Sequence, residues 1–178
     1  FGKVGGSGLG VHEAKKSIES WGGTLAYESE LGKGTTAKIT LPRVTAPRWF
    51  IPEISLAQKA GVVIIDDDDS IHQMWKVRYP DIKKIHFSSI ASFEKWWLES
   101  NHSTELYLFL FDYSFEGESK TGLQVIVDCG LMQHSILVTN EYNNSEIIQK
   151  SMEHQIGVIP KVVVGCISVS EIKPEKSI

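Results

Sequence analysis

The feature that most constrains the fold is a run of apolar residues that leads directly into a run of carboxylates. It spans Val62 to Asp69 and reads VVIIDDDD. A stretch that is apolar on both faces is typical of a central parallel strand with helices on each side, and ligands of such sheets bind at the carboxyl ends of the strands. Adjacent carboxylates repel one another unless a cation joins them, and Mg²⁺ prefers oxygen ligands of this kind. The alternative is a solvated acidic turn that caps the next helix.

Apolar strands and helical patterns alternate after this run. Further strands are predicted at 84–87, 106–111, 135–138 and 157–160. Helical patterns are predicted at 71–78, around 93–97, at 122–131 and at 145–154. Alternation of this kind predicts an α/β fold, a doubly wound five-stranded parallel sheet with helices on both faces. The segment 162–172 is rich in β-branched residues and only loosely amphipathic, so whether a last helix forms stays open.

Most of the predicted strands end at a residue that can take part in chemistry. These residues are Asp66 and Asp67, Asp112, Thr139 and Lys161. In a doubly wound sheet the strand ends converge on one edge. Three carboxylates can hold Mg²⁺ and leave one oxygen of Asp112 as a nucleophile, while a hydroxyl and an ammonium hold phosphoryl oxygens. Taken singly, Asp112 also suits a turn, Thr139 a helix cap and Lys161 a surface cation.

Residues 1–42 have a different pattern, a glycine-rich loop followed by a helix and a β-hairpin. The loop reads GGSGLG at 5–10, and the apolar residues Val11, Ala14, Ile18 and Trp21 share one helical face. Glycines before a helix let backbone N–H groups approach a phosphate. A helix and a hairpin bury too little apolar surface to be stable alone.

This segment resembles the C-terminal end of the ATPase domain of histidine kinases. Its motifs are the glycine box at 6–10, WGG at 21–23, ESE at 28–30, GKGTT at 32–36 and LP at 41–42. The resemblance implies that Gly6, Gly8 and Gly10 border the ATP lid and contact nucleotide phosphates, so that ATP belongs to an intact parent kinase. The family's adenine-binding loop and phosphorylated histidine helix would lie before Phe1, and a start without Met is typical of a piece of a longer chain. We therefore expect a remnant that does not bind ATP usefully.

The stretch from Val62 to Lys161 resembles the receiver domain of two-component signalling. The resemblance implies that Asp66 and Asp67 are the acidic pair that binds Mg²⁺. It also implies that Asp112 is both a metal ligand and the phospho-acceptor. Ser114 lies where a backbone carbonyl completes the metal shell in that family. The fold expected from the resemblance is flavodoxin-like.

Thr139 and Lys161 match the phosphate-contacting threonine and lysine of receivers, but three nearby positions depart from the family pattern. Val158 stands where an aromatic ring often swings inward, and Asn140 stands where a small residue is favoured. Val162 follows the lysine where the family usually has proline. These departures leave open whether the acceptor site still drives a conformational output.

An ATPase remnant followed by a receiver is the order of domains in hybrid sensor histidine kinases. We therefore interpret the chain as the C-terminal fragment of such a kinase, with the remnant at 1–42, a linker at 43–60 and the receiver at 61–178. The resemblance implies a phosphohistidine donor domain as a partner and, downstream, a histidine phosphotransfer protein. Whether the fragment is itself an enzyme stays open, because it lacks the phosphorylated helix and most of the ATP site of its parent phosphotransferase.

Two other readings compete with phosphoryl acceptance. A pseudo-receiver would bind partners without being phosphorylated. A phosphatase of related fold would also use Asp112 as a nucleophile, but such enzymes generally carry a second acid two residues later, where this chain has Ser114. By comparison with that family pattern, Ser114 favours the receiver over the phosphatase.

Charge and composition limit which partners and which cellular compartment can be expected. A formal net charge of −4 over 178 residues gives no reason to expect nucleic acid or acidic lipid as a main partner. The two cysteines, Cys129 and Cys166, lack metal-type spacing and fit a reducing compartment. No apolar run approaches the roughly 18 residues of a membrane span. These features predict a cytoplasmic location without direct membrane contact, although the parent kinase could be anchored upstream.

The apolar faces of the N-terminal segment predict an association. The helix carries apolar residues on one face, and the second strand carries Ala37, Ile39 and Leu41 in alternation. Left in water, such surfaces forfeit about 25 cal/mol for each Å² that is not buried. We expect them to be covered by the receiver or by the same segment of a second chain, which would make a homodimer.

Overall fold

The computed structural model describes residues 9–56, 61–99 and 106–170. The chain forms two compact units, Phe1–Thr45 and Ala46–Ile178. Among the described residues, no helix is both long enough and apolar enough to cross a membrane.

The first unit is a helix followed by a two-stranded antiparallel sheet. Helix α1 spans Leu9–Ser20, strand β1 spans Thr24–Glu30, and strand β2 spans Gly34–Thr40. The register pairs Leu25 with Ile39 and Tyr27 with Ala37, so these four apolar side chains share one face of the hairpin. The predicted helix and hairpin are therefore present in the order and positions expected.

Most of the apolar surface of this unit is open. Ile18 is buried beneath the hairpin at 6 % exposure, but it is alone in this among the described residues of the unit. Trp21, Tyr27, Ile39 and Leu41 are 63, 48, 57 and 51 % exposed. The unit thus presents large hydrophobic side chains at a density that is unusual for an isolated surface.

The second unit alternates strands and helices. Its strands are β3 (Glu53–Ser55), β4 (Gly61–Ile65), β5 (Lys84–Phe87), β6 (Tyr107–Asp112), β7 (Ser135–Thr139), β8 (Gly157–Pro160) and β9 (Ser168–Ser170). Its α-helices are α2 (Asp69–Arg78), α3 (Ile90–Glu99), α4 (Gly122–Asp128) and α5 (Ser145–Glu153), with 3-10 turns at Met132–His134 and Lys161–Cys166. The predicted third helix ends earlier than its pattern suggested, and a 3-10 turn carries the chain into β7.

Five of these strands form one parallel sheet in the order β5-β4-β6-β7-β8. The direction in which strands are added reverses at β4. The next strand in the chain, β5, lies on one side of β4, and β6, β7 and β8 follow on its other side. The α/β class and the five-stranded parallel sheet predicted from the sequence are confirmed, and the strand order is compatible with a flavodoxin-like fold. Strands β4 and β6 are neighbours in the interior of the sheet, and their carboxyl ends lie side by side.

Both faces of this sheet are covered, as apolar runs without alternation require. One face packs Phe109, Phe111 and Leu137 against α3, α4 and α5, with Phe93 at 0 % exposure among the rings. The other face packs Ile64 and its neighbours against Trp75 of α2, against Ile54 of β3 and against Val164 and Ile167 after β8. Burial on both faces anchors the strand ends that carry the acids.

The predicted linker contains one short strand. Strand β3 begins directly after Pro52 and pairs in parallel with β9. A proline just before a strand removes no ladder hydrogen bond, so it does not prevent this pairing. Ahead of β3, Val158 donates to Trp49 O at 2.8 Å and accepts from Ile51 N at 3.1 Å, which adds the connector to the edge of β8.

The end of the described chain forms no α-helix. Lys161–Cys166 is a 3-10 turn and Ser168–Ser170 is β9, which fits the low helix propensity of three consecutive valines and a glycine. The Tyr79 hydroxyl donates to Ile167 O at 2.6 Å and ties this end to the C-terminus of α2. The small sheet β3–β9 therefore covers the part of the sheet face that α2 leaves open.

Candidate functional site

The four consecutive acids after β4 fall into two groups, two in a cluster of carboxylates and two at the start of α2. Asp66 is buried at 1 % exposure, whereas Asp67 is exposed. Asp68 is the N-cap of α2 and accepts from Ser70 N at 2.9 Å. Hydrogen bonds from the side chain and then from the backbone N–H of Ser70 hold the pKa of Asp68 below the usual range. Asp69 is the first residue of α2, where a carboxylate interacts favourably with the helix dipole. The helix-cap interpretation is thus confirmed for Asp68, whereas Asp66 and Asp67 lie with Asp112 in a cluster of carboxylates.

Lys161 joins the ends of β4 and β6. Its Nζ lies 2.9 Å from Asp66 Oδ1 and 2.7 Å from Asp112 Oδ2. All three side chains are at most 8 % exposed. The lysine reaches this position because β8 ends at Pro160, so that Lys161 is the first residue beyond the sheet edge. Lys161 lies 95 positions after Asp66 and 49 positions after Asp112 in the chain, and the fold brings the three into one ion-paired group.

The electrostatics of this group show a surplus of negative charge. Burial raises the pKa of Asp112 to about 6, with Asp66 adding to the rise while the hydrogen bonds from Lys161 and Tyr113 N oppose it. Burial also raises the pKa of Asp66, against the same lysine. For Lys161 burial alone would lower the pKa, but its hydrogen bonds to both acids prevail and raise it. One ammonium does not balance two buried carboxylates, so a further cation would be favoured here.

The donor set suits a hard divalent cation. Oxygens of Asp66, Asp67 and Asp112 all lie within 4.8 Å of one another. Three carboxylates against one ammonium leave two negative charges when all are ionised, and carboxylate oxygens are the ligands that Mg²⁺ prefers. Asp67 Oδ2 also accepts from Glu116 N at 2.7 Å, which links the loop after β4 to the loop after β6. The residues present therefore fit a magnesium ion.

The loops after β6 and β7 are joined across the mouth of this site. Thr139 is 1 % exposed at the end of β7, and its hydroxyl oxygen accepts from Glu141 N at 3.0 Å. That leaves the hydroxyl hydrogen available to a ligand. Ser114, which is exposed, donates its hydroxyl to a carboxylate oxygen of Glu141. Glu141 thus lies at the site, although no sequence pattern singled it out.

Gly122, at the start of α4, allows strand β6 and this helix to approach each other closely. A Cβ on Gly122 would lie 1.8 Å from the carbonyl oxygen of Asp112, and Gly122 N donates to Tyr113 O at 2.9 Å. The clash would be with backbone, which cannot rotate away as a side chain can. Thr121 and Gln124 form a capping box that starts the helix at this point. Gly122 is a second site-supporting residue that the sequence did not reveal, because its partner lies on a strand.

The other predicted positions are placed as follows. Val158 is fully buried in β8, Val162 is 70 % exposed, and Asn140 is exposed beside Thr139. Gly10 lies within α1 of the first unit, and a Cβ built on it would meet no atom of the described residues within 4 Å apart from its chain neighbours and the backbone of its own helix. Gly6 and Gly8 lie outside the described residues.

Comparison with known proteins gives little. No protein-family model matches the chain, and no curated protein matches it. Among solved structures, the chain is similar to the crystal structure of adenylate cyclase from Rhodopirellula baltica, with a TM-score of 0.45 and 16 % identity over 58 % of this chain and 76 % of that one. A similarity of this extent does not bear on function.

Proposed function

We propose that the second unit is a phosphoryl-accepting receiver in which Asp112 is the acceptor. The observation that carries this proposal is the double ion pair of Lys161 with Asp66 and Asp112, together with a carboxylate oxygen of Asp67 within 4.8 Å of oxygens of both acids. A lysine shared by two buried carboxylates is a costly arrangement unless another charged group is to be bound between them. A divalent metal ion would offset the surplus negative charge of the carboxylates, and the oxygens of a phosphoryl group would face the Lys161 ammonium.

The chemistry is a transfer between two protein side chains. One oxygen of the Asp112 carboxylate attacks phosphorus, the P–N bond of the donor phosphohistidine breaks, and the imidazole leaves with that electron pair. The product is an acyl phosphate on Asp112. Lys161 and the hydroxyl hydrogen of Thr139 then face the phosphoryl oxygens and stabilise their charge. When bound, Mg²⁺ held by Asp66, Asp67, Asp112 and the Ser114 carbonyl would neutralise the remaining negative charge.

We further propose that the first unit is the end of a histidine-kinase ATPase domain, which would make the chain part of a hybrid sensor histidine kinase of the cytoplasm. The support is the glycine box, the WGG and GKGTT motifs, and a helix followed by a hairpin at the positions these motifs imply. In this proposal Gly6, Gly8 and Gly10 contact ATP only within an intact parent kinase. The donor is then that kinase or another, and a histidine phosphotransfer protein receives the group afterwards.

Acetyl phosphate tests the acceptor directly. The full chain, incubated with acetyl phosphate and Mg²⁺, should gain one phosphoryl group by intact mass, and hydroxylamine should remove it. In this reaction the P–O bond of the donor breaks and acetate leaves. Asp112→Asn should abolish the adduct, while the control Asp81→Asn, an exposed acid away from the site, should keep it. A stable adduct on serine, threonine or histidine would contradict the proposal.

Binding of the metal is measured separately. Mg²⁺ titration followed by the fluorescence of the buried Trp75 or by amide NMR should saturate, and Asp67→Ala should weaken binding strongly. Saturable Mg²⁺ binding without any phosphorylation would favour the pseudo-receiver alternative, in which the unit acts as an interaction module. No response to Mg²⁺ at tens of millimolar, far above ordinary sites, would exclude the metal site.

A further inference from the structure

A pair of histidines lies directly behind the acidic site and takes no part in the chemistry described above. His72, on α2, is 5 % exposed, and His86, on β5, is half-buried. Their Nδ1 atoms are 2.8 Å apart, and the rings meet edge to face with centroids 4.9 Å apart. The other ring nitrogen of His72, Nε2, is 2.8 Å from the carbonyl oxygen of Asp66. The pair thus connects a sheet edge, a helix and the first acid of the site.

The hydrogen-bond partners decide which nitrogens carry hydrogen. A carbonyl oxygen can only accept, so His72 Nε2 must donate to Asp66 O. In a neutral ring His72 Nδ1 is then the acceptor, and His86 Nδ1 donates to it. If the His72 ring carried a second proton, it would donate to His86 instead, and the bond to Asp66 would be unchanged. The link to the acid therefore persists in either protonation state of the pair.

This link fixes the peptide group between the two acids of the site. Asp66 O belongs to the planar peptide group between Asp66 and Asp67. The hydrogen bond from His72 to this oxygen therefore orients the backbone at Asp67. On its other side, Asp66 N donates to Phe87 O of β5 at 3.0 Å. Asp66 is therefore held through its N–H, its carbonyl and its carboxylate, whereas Asp67 is exposed and held through its side chain by Glu116 N. The orientation of Asp67 depends on the peptide that His72 secures.

We propose that His72, oriented by His86, is a positioning residue for the metal site: its Nε2–H holds the Asp66–Asp67 peptide so that both carboxylates reach one cation. This inference rests on the proposed function, since it concerns the same site. A purely structural role would be to satisfy a buried carbonyl, with no consequence for the affinity of the metal. Partners that orient metal ligands are commonly worth about ten- to a hundredfold in affinity.

Variants that keep or remove the single donor separate these roles. His72→Gln can place an amide N–H near the position of Nε2, whereas His72→Leu has similar bulk and no donor. We expect Mg²⁺ affinity measured by amide NMR on the full chain to fall by about tenfold in His72→Leu and to stay close to that of the unaltered protein in His72→Gln. Gln73→Leu, an exposed change on the same helix, is the matched control and should leave the affinity unchanged.

Two further measurements keep the proposal open to refutation if His72→Leu does not fold. His86→Leu removes the orienting donor at a half-buried position and should also weaken Mg²⁺ binding, while His86→Asn can restore a donor near Nδ1. Long-range ¹H–¹⁵N spectra of the unaltered protein should show His72 protonated at Nε2. Unchanged Mg²⁺ affinity in folded donor-less variants, or a His72 Nε2 without hydrogen, would overturn the inference. An unaltered protein that fails to bind Mg²⁺ while its His72 Nε2 is protonated would overturn the proposed metal site instead.

Discussion

Replacing Asp112, the proposed acceptor, should make the metal-free protein more stable, although it removes the proposed function. Asp112 is buried beside Asp66, and both compete for Lys161. In the variant Asp112→Asn the amide keeps the shape of the side chain and removes one of the two buried negative charges. Lys161 retains Asp66 as its partner at 2.9 Å, so the variant does not leave the ammonium without a counter-charge.

The size of the effect follows from the pKa of Asp112. Burial raises this pKa from its ordinary 3.8 to about 6. At about 1.36 kcal/mol for each pH unit of difference, ionising Asp112 costs the folded state up to about 3 kcal/mol relative to the unfolded chain. Between pH 3.8 and about 6 the folded state holds a proton that the unfolded state has released, so stability falls as pH rises through this window. Above pH 6 the loss is complete, and Asp112→Asn avoids it.

Urea unfolding in EDTA measures this directly. At pH 7.5 the variant should be more stable by 1 to about 3 kcal/mol, and at pH 5 by about half as much, because Asp112 is then largely protonated in the folded protein. Mg²⁺ should narrow or reverse the difference by stabilising only the unaltered site. The exposed control Asp81→Asn should stay within about 0.5 kcal/mol at both pH values. An Asp112→Asn variant that is no more stable at pH 7.5, or a difference that does not change with pH, would refute the reasoning.

Two other outcomes are expected. Gly122→Ala should lower the free energy of unfolding by about 1 to 3 kcal/mol, because the added methyl group meets the backbone of Asp112. The same change should slow phosphorylation by acetyl phosphate. An unchanged urea midpoint would contradict this prediction, because it would show that α4 can shift without loss of stability. The open apolar face of the first unit, with Tyr27 and Ile39 about half exposed, should make the full chain dimerise in sedimentation. The matched control is Ile39→Lys, which should shift the protein toward monomer, while a monomeric unaltered chain would contradict self-association.

The sequence by itself determined the sheet and the location of its acids. Strands such as β4 and β6 are apolar on both faces, and this local property predicts a covered parallel strand wherever it occurs. Once the strands are parallel, Asp66 and Asp112 must leave the sheet at the same edge, because parallel strands share a direction. The meeting of these acids with Lys161 therefore followed from strand ends alone.

Only the tertiary structure decided what supports these residues. The His72–His86 contact joins a helix to a strand 14 positions later, and β3 pairs with β9 from the far end of the unit. Gly122 matters because of a backbone oxygen on β6. None of these relations has a periodicity or spacing of its own, since each depends on how elements pack around the finished sheet. Local pattern predicts which elements form and what stands at their ends, whereas contacts between elements distant in the chain are set by packing alone.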